Sequence, residues 1–403
     1  MDTARIRNIA ESISRETVEL RRRLHAHPET AWQEVETSRL IEAELNKLGL
    51  SNVKRGYGGT ESGVTAELTG DPSGPCVALR ADIDALPVFE ENSVDYRSTV
   101  DGVMHACGHD GHAAILLGTA KLLSSIENEI PGRIRFLFQP AEEHGIRSGA
   151  QELIDAGALN GVSVIGGLHL WSFFDAGLVK WKCGPVMASS DTWIVKFTGR
   201  GGHGAMPHKA IDPTIAAANF ITALQTITSR EIDPIDTAVV SLGQMRAGDA
   251  FNIIPNTVEL KGTLRSFNPE VRDNMEGRIR RIADGIAAAY RCAAETEVAY
   301  MYPSVVNHEG ATELLKKTAE LVVGPGKVEE TPAMMVSEDF SYYQHKVPGV
   351  FFFLGAGNAK LETDFSHHSP RFNIDEAVLP TGVALMASFA LAAIEKLRSG
   401  EPI

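Results

Sequence analysis

Met104-His105-Ala106-Cys107-Gly108-His109-Asp110-Gly111-His112, running into Ala113-Ala114-Ile115-Leu116-Leu117-Gly118-Thr119-Ala120-Lys121-Leu122-Leu123, is the stretch from which the rest of the chain is read. Its second half has the apolar spacing of a buried helix, with Asp110 placed to cap the N-terminus. Its first half packs three imidazoles and one thiol into the eight positions from 105 to 112. Cys107 and His109 therefore sit in the loop that feeds a helix's positive end, where thiolate is stabilised. Thiolate either binds metal or attacks a substrate, so both readings stand. Two positions apart, Cys107 and His109 suit one divalent transition ion. A buried cysteine beside helix-capping histidines is the structural alternative.

Outward from this stretch, strands and helices alternate. Gly63–Leu68 and Pro75–Asp84 read as strands, Arg133–Phe138 as a buried strand entering Gln139-Pro140-Ala141-Glu142-Glu143, and a helix near 148–156 leads to the strand Val162–His169. Residues 4–48 have helical period broken at His27-Pro28-Glu29, which predicts two helices. The fold class is α/β, a mixed, largely parallel sheet flanked by helices. Asp82 and Asp84, Glu142 and Glu143, and His169 all fall at strand C-terminal ends, where open α/β sheets collect ligands. From Gly184 the order becomes strand, helix, strand, strand, helix, strand, which is ferredoxin-like α+β. The expected division is a discontinuous metal-binding catalytic domain, 1–183 and 302–403, with an inserted lid or dimerisation domain at 184–301. In the returning segment, Val350–Leu354 is a strand, Ser366-His367-His368-Ser369-Pro370 a further ligand motif, and 377–397 a closing helix.

The 403 residues suit two or three domains. A net charge of −14 argues against nucleic acid as a partner. Arg21-Arg22-Arg23, a basic run, reads as a solvated helix face. The N-terminal residues lack the apolar core of a secretory signal, no apolar run approaches the length of a membrane span, and the four cysteines are too scattered for a disulfide framework. A soluble, cytoplasmic protein without a membrane partner is expected.

Cys107, His109, Glu142, Glu143, His169 and His368 offer more donors than one tetrahedral ion uses, and two ions sharing a water fit the count better. One of the adjacent glutamates would bind metal and the other move protons; spacing does not say which.

The chain resembles the M20 metallopeptidase family, in the amidohydrolase branch that contains aminoacylases, hippurate hydrolases, auxin-conjugate hydrolases and N-acetyl-diaminopimelate deacetylases. The resemblance spans nearly the whole chain and rests on His27-Pro28-Glu29, Arg80-Ala81-Asp82-Ile83-Asp84-Ala85-Leu86-Pro87, Met104 to His112, Gln139 to Glu143, Gly202-His203-Gly204-Ala205-Met206-Pro207-His208, Asn252-Ile253-Ile254-Pro255-Asn256, Gly262-Thr263-Leu264-Arg265 and Ser337-Glu338-Asp339-Phe340. It implies Cys107, His109, Glu143, His169 and His368 as ligands of two divalent ions (zinc, manganese, cobalt or nickel), with His367 the alternative to His368. Glu142 is implied as general base, and His203 as a group that reaches a neighbouring subunit's site to polarise the scissile carbonyl. Asn256 and Arg265 are implied to hold the substrate carboxylate, and Asp82 and Asp110 to orient ligands. Arg80 stands where peptidase branches carry a metal-binding histidine. The implied activity is hydrolysis of N-acyl amino acids, N-acetyl or N-aroyl, by a homodimer or dimer of dimers joined through the inserted domain. A carboxypeptidase or dipeptidase is the alternative enzyme, and a non-catalytic binding module the alternative of another class.

Overall fold

In the computed structural model, which describes residues 2–403, three helices open the chain: α1 (Thr3–Ser12), α2 (Ser14–Ala26) and α3 (Val35–Lys47). A break at Ile13 makes two helices where the periodicity predicts one. Strands β1 (Ser51–Arg55), β2 (Val64–Thr69) and β3 (Cys76–Asp82) follow, then α4 (His109–Ser124), β4 (Arg133–Gln139), α5 (Gly149–Asp155), β5 (Val162–Asp175) and β6 (Val179–Trp181). Next come β7 (Ser190–Thr198), β8 (Gly202–His203), α6 (Pro213–Leu224), β9 (Ala238–Ala247), β10 (Ile253–Ile254), β11 (Thr257–Ser266), α7 (Met275–Tyr290) and β12 (Ala293–Tyr302). The chain closes with α8 (Glu309–Val323), β13 (Val328–Glu330), β14 (Gly349–Gly357) and α9 (Leu379–Arg398).

Two compact units result, one of Met1–Val186, Val306–Pro332 and Asp339–Ile403, the other of Met187–Val305 and Ala333–Glu338. Residues 333–338 group with the second unit because Ala188 N–H donates to the carbonyls of Met334 and Val336.

The first unit holds an eight-stranded sheet in the order β1-β2-β4-β3-β5-β14-β6-β13. Its centre is parallel, β4 to β3, β3 to β5 and β5 to β14, while β2 and β6 run against their neighbours β4 and β14. β3 and β14 are buried along their whole length, as expected for strands covered on both faces. Phe351, Phe352 and Phe353 are fully buried, and each contributes roughly 1.5–3 kcal/mol through removal from water. α4 and α9 share this core through Ile115, Leu116, Leu122, Val383, Met386 and Phe389. The C-terminal helical stretch, Glu376–Arg398, does have the length and composition of a membrane span, against the expectation from sequence; 83% of its apolar window is buried inside the unit.

The second unit is an antiparallel four-stranded sheet, β9-β11-β7-β12, in the chain order β, α, β, β, α, β. Trp193, Val195 and Phe197 alternate along β7 and pack against Phe220 of α6 and Ile279 of α7. β9 is an edge strand, and its second half is exposed.

Candidate metal centre

β3 delivers Asp82 at its last position and Asp84 two residues on, both buried, and β4 delivers the loop Pro140-Ala141-Glu142-Glu143. His169 lies inside β5, not at its end, because the strand continues to Asp175. α4 begins at His109. Its N-cap is Gly108, in the left-handed region at φ 93°, and no side chain caps the helix. Asp110 was expected in that role. Its Oδ2 is instead committed to Arg21 Nε at 2.8 Å and His25 Nδ1 at 2.7 Å, all three side chains being buried. Arg21 is thus no part of a solvated face; with Asp110, Glu376 and Asn373 as partners it is a fully buried cation.

Hydrogen bonds fix which nitrogen of each imidazole is available. His169 Nδ1 donates to Leu170 O at 2.7 Å, leaving the Nε2 lone pair facing Cys107 Sγ at 3.7 Å. His109 Nδ1 lies 3.2 Å from Asp84 Oδ1, and its buried Nε2 has no hydrogen-bond partner among the described residues. His112 accepts at Nε2 from Leu170 N–H, 2.8 Å, and therefore donates through Nδ1 to Asp82 Oδ1, 2.6 Å. Asp82 Oδ2 meets Arg80 Nη1 at 2.6 Å. Asp84 Oδ2 accepts from Glu143 N–H at 2.9 Å. One carboxylate thereby orients both a histidine and the backbone of the neighbouring glutamate.

Two donor triplets emerge, Cys107 with His109 and His169, and Cys107 with Glu143 and His368. Each has its donor atoms within 4.8 Å of one another, and the sulfur belongs to both; His109, Glu142 and Glu143 form a third group. The unsatisfied His109 Nε2 points into this space, where Glu143 Oε1 meets His368. A thiol, imidazoles and a carboxylate that converge in this way suit a divalent transition ion, which would displace the protons of Cys107 and His109 on binding.

His368 reaches Glu143 Oε1 at 3.1 Å through Nε2, and its side chain is 54% exposed. His367 is more enclosed: Nδ1 lies 3.6 Å from Cys107 Sγ, Nε2 accepts from Ser172 N–H at 3.3 Å, and the ring lies 4.5 Å from that of Trp171. Both histidines of the pair therefore border the site. Only His368 joins a donor triplet.

The electrostatics correct one expectation. Burial, together with Glu143 and Glu142, pushes the Cys107 thiol well above its ordinary range, so the helix start does not stabilise thiolate in the protein alone. Burial disfavours a charged His109, but Asp82 and Asp84 outweigh it and raise the imidazole to about 10. Burial and the neighbouring His112 and His367 hold His169 well below its usual value, in the neutral form a metal needs.

In the second unit, His203 on β8 is exposed, and its Nδ1 accepts from Ala205 N–H at 3.0 Å, which leaves Nε2 to carry the proton. β8 pairs with β10, and Asn256 Oδ1 accepts from Gly201 N–H at 2.9 Å, so His203 and Asn256 share one loop cluster. Arg265 lies at the far end of β11. Nine residues of extended chain put it about 30 Å from Asn256 within one protomer.

Sequence reasoning missed the roles of Arg21 and Glu34. Asp339 pairs with Arg80 Nη2 at 2.8 Å and accepts from Gln139 and Ser148. Each of these is a polar residue inside an otherwise ordinary pattern, and only its burial marks it out.

Residues 78–392 match the sequence profile of Peptidase family M20/M25/M40. The chain is 39% identical to thermostable carboxypeptidase 2 of Saccharolobus solfataricus, with 96% of this chain and 98% of the relative covered. It is likewise 39% identical to an N-acetylcysteine deacetylase of Bacillus subtilis, covering 94% and 97%. Among solved structures it is similar to a Bacillus subtilis protein described as a dinuclear metal-binding peptidase of the M20 family, with a TM-score of 0.83, 36% identity, and 96% and 99% of the two chains covered.

Proposed function

Because the chain belongs to peptidase family M20/M25/M40, we infer that it is a metal-dependent amidohydrolase of that family's amidohydrolase branch, cleaving N-acyl amino acids to a carboxylic acid and a free amino acid. The observation that carries this reading is the pair of donor triplets sharing Cys107, set beside Glu142. Cys107, His109, Glu143, His169 and His368 would hold two divalent ions, with zinc, manganese, cobalt and nickel as the candidates. When bound, the ions supply Lewis acidity and a water that ionises near neutral pH.

Glu142 takes a proton from the attacking water as the new C–O bond forms, and returns it to the amide nitrogen as the C–N bond breaks. Asp84 keeps His109 Nε2 and the Glu143 backbone in register, while Asp82 acts through His112 on the strand that carries His169. His203 donates through Nε2 to the developing oxyanion of a partner protomer's substrate. Arg265 offers the substrate carboxylate a forked pair of donors; Asn256, about 30 Å away along β11, meets that same carboxylate from another copy. In support of a homodimer, β9 is an unpaired edge strand and Met206, Met245, Phe251 and Ile253 are exposed on the same unit. Four unpaired thiols support a reducing, cytoplasmic location.

The likeness to a carboxypeptidase favours a second reading, cleavage of a peptide bond next to a free carboxylate. Turnover of N-acetyl and N-benzoyl amino acids beside dipeptides, by protein whose metal content has been measured, separates the two. Faster dipeptide cleavage overturns the first reading. No turnover of any of them by the metal-loaded protein leaves a binding module.

A further inference from the structure

The loop that carries Glu142 is held from behind by a carboxyl group that the chemistry above does not use. Glu34, immediately before α3, is completely buried, and its Oε1 accepts from Ala141 N–H at 2.8 Å. Ala141 is a non-glycine residue at φ 53°, in the left-handed region, and it directly precedes Glu142. An alanine does not adopt that conformation unaided. Neighbouring packing fits the loop closely: a Cβ at Gly149 would lie 1.7 Å from Pro140 O, and one at Gly63 would lie 2.8 Å from Pro140 Cδ. Two residues on, Asp84 holds the Glu143 N–H. The amides on either side of Glu142 are thus each held by a buried carboxyl group.

We infer that Glu34 is a positioning residue for the proton transfer assigned to Glu142, fixing the turned backbone at Ala141 so that the neighbouring carboxylate faces the metal centre. This rests on the function proposed above. Burial and the nearby Asp84 push Glu34 up to about 8, so it acts as a neutral acid, with Oε1 as acceptor and the Ser62 hydroxyl beside it. A neutral acceptor avoids placing a second anion beside the buried Asp84.

The requirement distinguishes three substitutions in the full-length, metal-loaded protein. Glu34→Gln keeps a neutral acceptor, Glu34→Asp withdraws it by one methylene, and Glu34→Ala removes it. For the aspartate and alanine variants, kcat falls roughly ten- to hundredfold with little change in KM, as expected when a reacting group is misplaced by about 1 Å. Two metals per chain are retained. Hydrogen exchange at the Ala141 amide accelerates in the same two variants, and glutamine recovers both kcat and protection. The inference is overturned if the aspartate variant, folded and metal-loaded, keeps wild-type kcat and Ala141 protection, or if glutamine is as impaired as alanine. Should the alanine variant not fold, the aspartate and glutamine variants decide the matter. If the wild-type protein hydrolyses no N-acyl amino acid, the proposed function fails, and exchange at Ala141 still decides whether Glu34 holds the loop.

Discussion

Strand β3 buries Arg80 and Asp82 and ties them to Asp339, His112 and Gln139, whereas β9, at the edge of the second unit's sheet, leaves Met245, Arg246 and Ala247 to solvent. The first unit spends buried charge on geometry. Misplaced buried ions are costly, so a network of Arg21, Arg80, Asp82, Asp84 and Asp110 has few alternative arrangements. The second unit builds its core from apolar side chains, with the buried Asp191 paired to Arg272 at one end of β7, and keeps His203 and Asn256 on the surface. Substitution at the buried charges of the first unit therefore damages folding, whereas substitution at the exposed His203 of the second lowers rate without disturbing folding.

The comparison is tested most severely at Glu142. Glu142→Gln is expected to lower kcat by about 10²–10⁴-fold, with metal content unchanged by elemental analysis; near-wild-type turnover removes the base assignment. Arg80→Met leaves Asp82 and Asp339 without their buried cation and is expected to cost about 3–5 kcal/mol in urea unfolding. The contrasting Arg246→Met, on the exposed half of β9, stays within about 0.5 kcal/mol. Equal losses at the two arginines would erase the distinction between the units. His203→Ala is expected to reduce kcat by about 10²–10³-fold with an unchanged unfolding midpoint. Mixing it with Glu142→Gln protomers recovers part of the activity if the histidine serves a partner, and no recovery after confirmed subunit exchange argues against that.

A further effect concerns pH. Glu34 is raised from 4.5 to about 8 in the folded chain, so the native state keeps a proton that the unfolded chain gives up. The stability contributed by the neutral group is complete below the unfolded value and is lost as pH rises through about 8. Glutamine has no such proton, so Glu34→Gln loses less stability than wild type between about pH 5 and pH 8. Parallel unfolding curves across that range would show that Glu34 is ionised throughout.

Periodicity reveals elements that bury one face. β3, β4 and β14 were legible as apolar runs, and β7 as an alternating one. β1, Ser51–Arg55, was missed because it is polar and largely exposed at a sheet edge. The ligand candidates were legible because thiol and imidazole are rare and fell near strand ends. Their supports were not: Arg21 sat in a run of three arginines, and only tertiary packing distinguishes the buried one from its neighbours. Asp110 looked like a cap because local chemistry favours one, but a distant arginine and histidine offered a stronger partnership. The expected low-pKa thiolate ignored the two glutamates that the fold brings beside Cys107.

His368 adopts φ 63°, a conformation uncommon outside glycine. In an extended chain, successive side chains leave on opposite sides. This kink lets two adjacent rings address one centre, His367 toward the sulfur and His368 toward Glu143. The two rings are thus not interchangeable: His367 accepts at Nε2 from Ser172 N–H and turns its Nδ1–H toward the sulfur, while His368 alone belongs to a donor triplet. Point mutation at 368 accordingly takes one donor from one set, where mutation at Cys107, common to both, takes one from each.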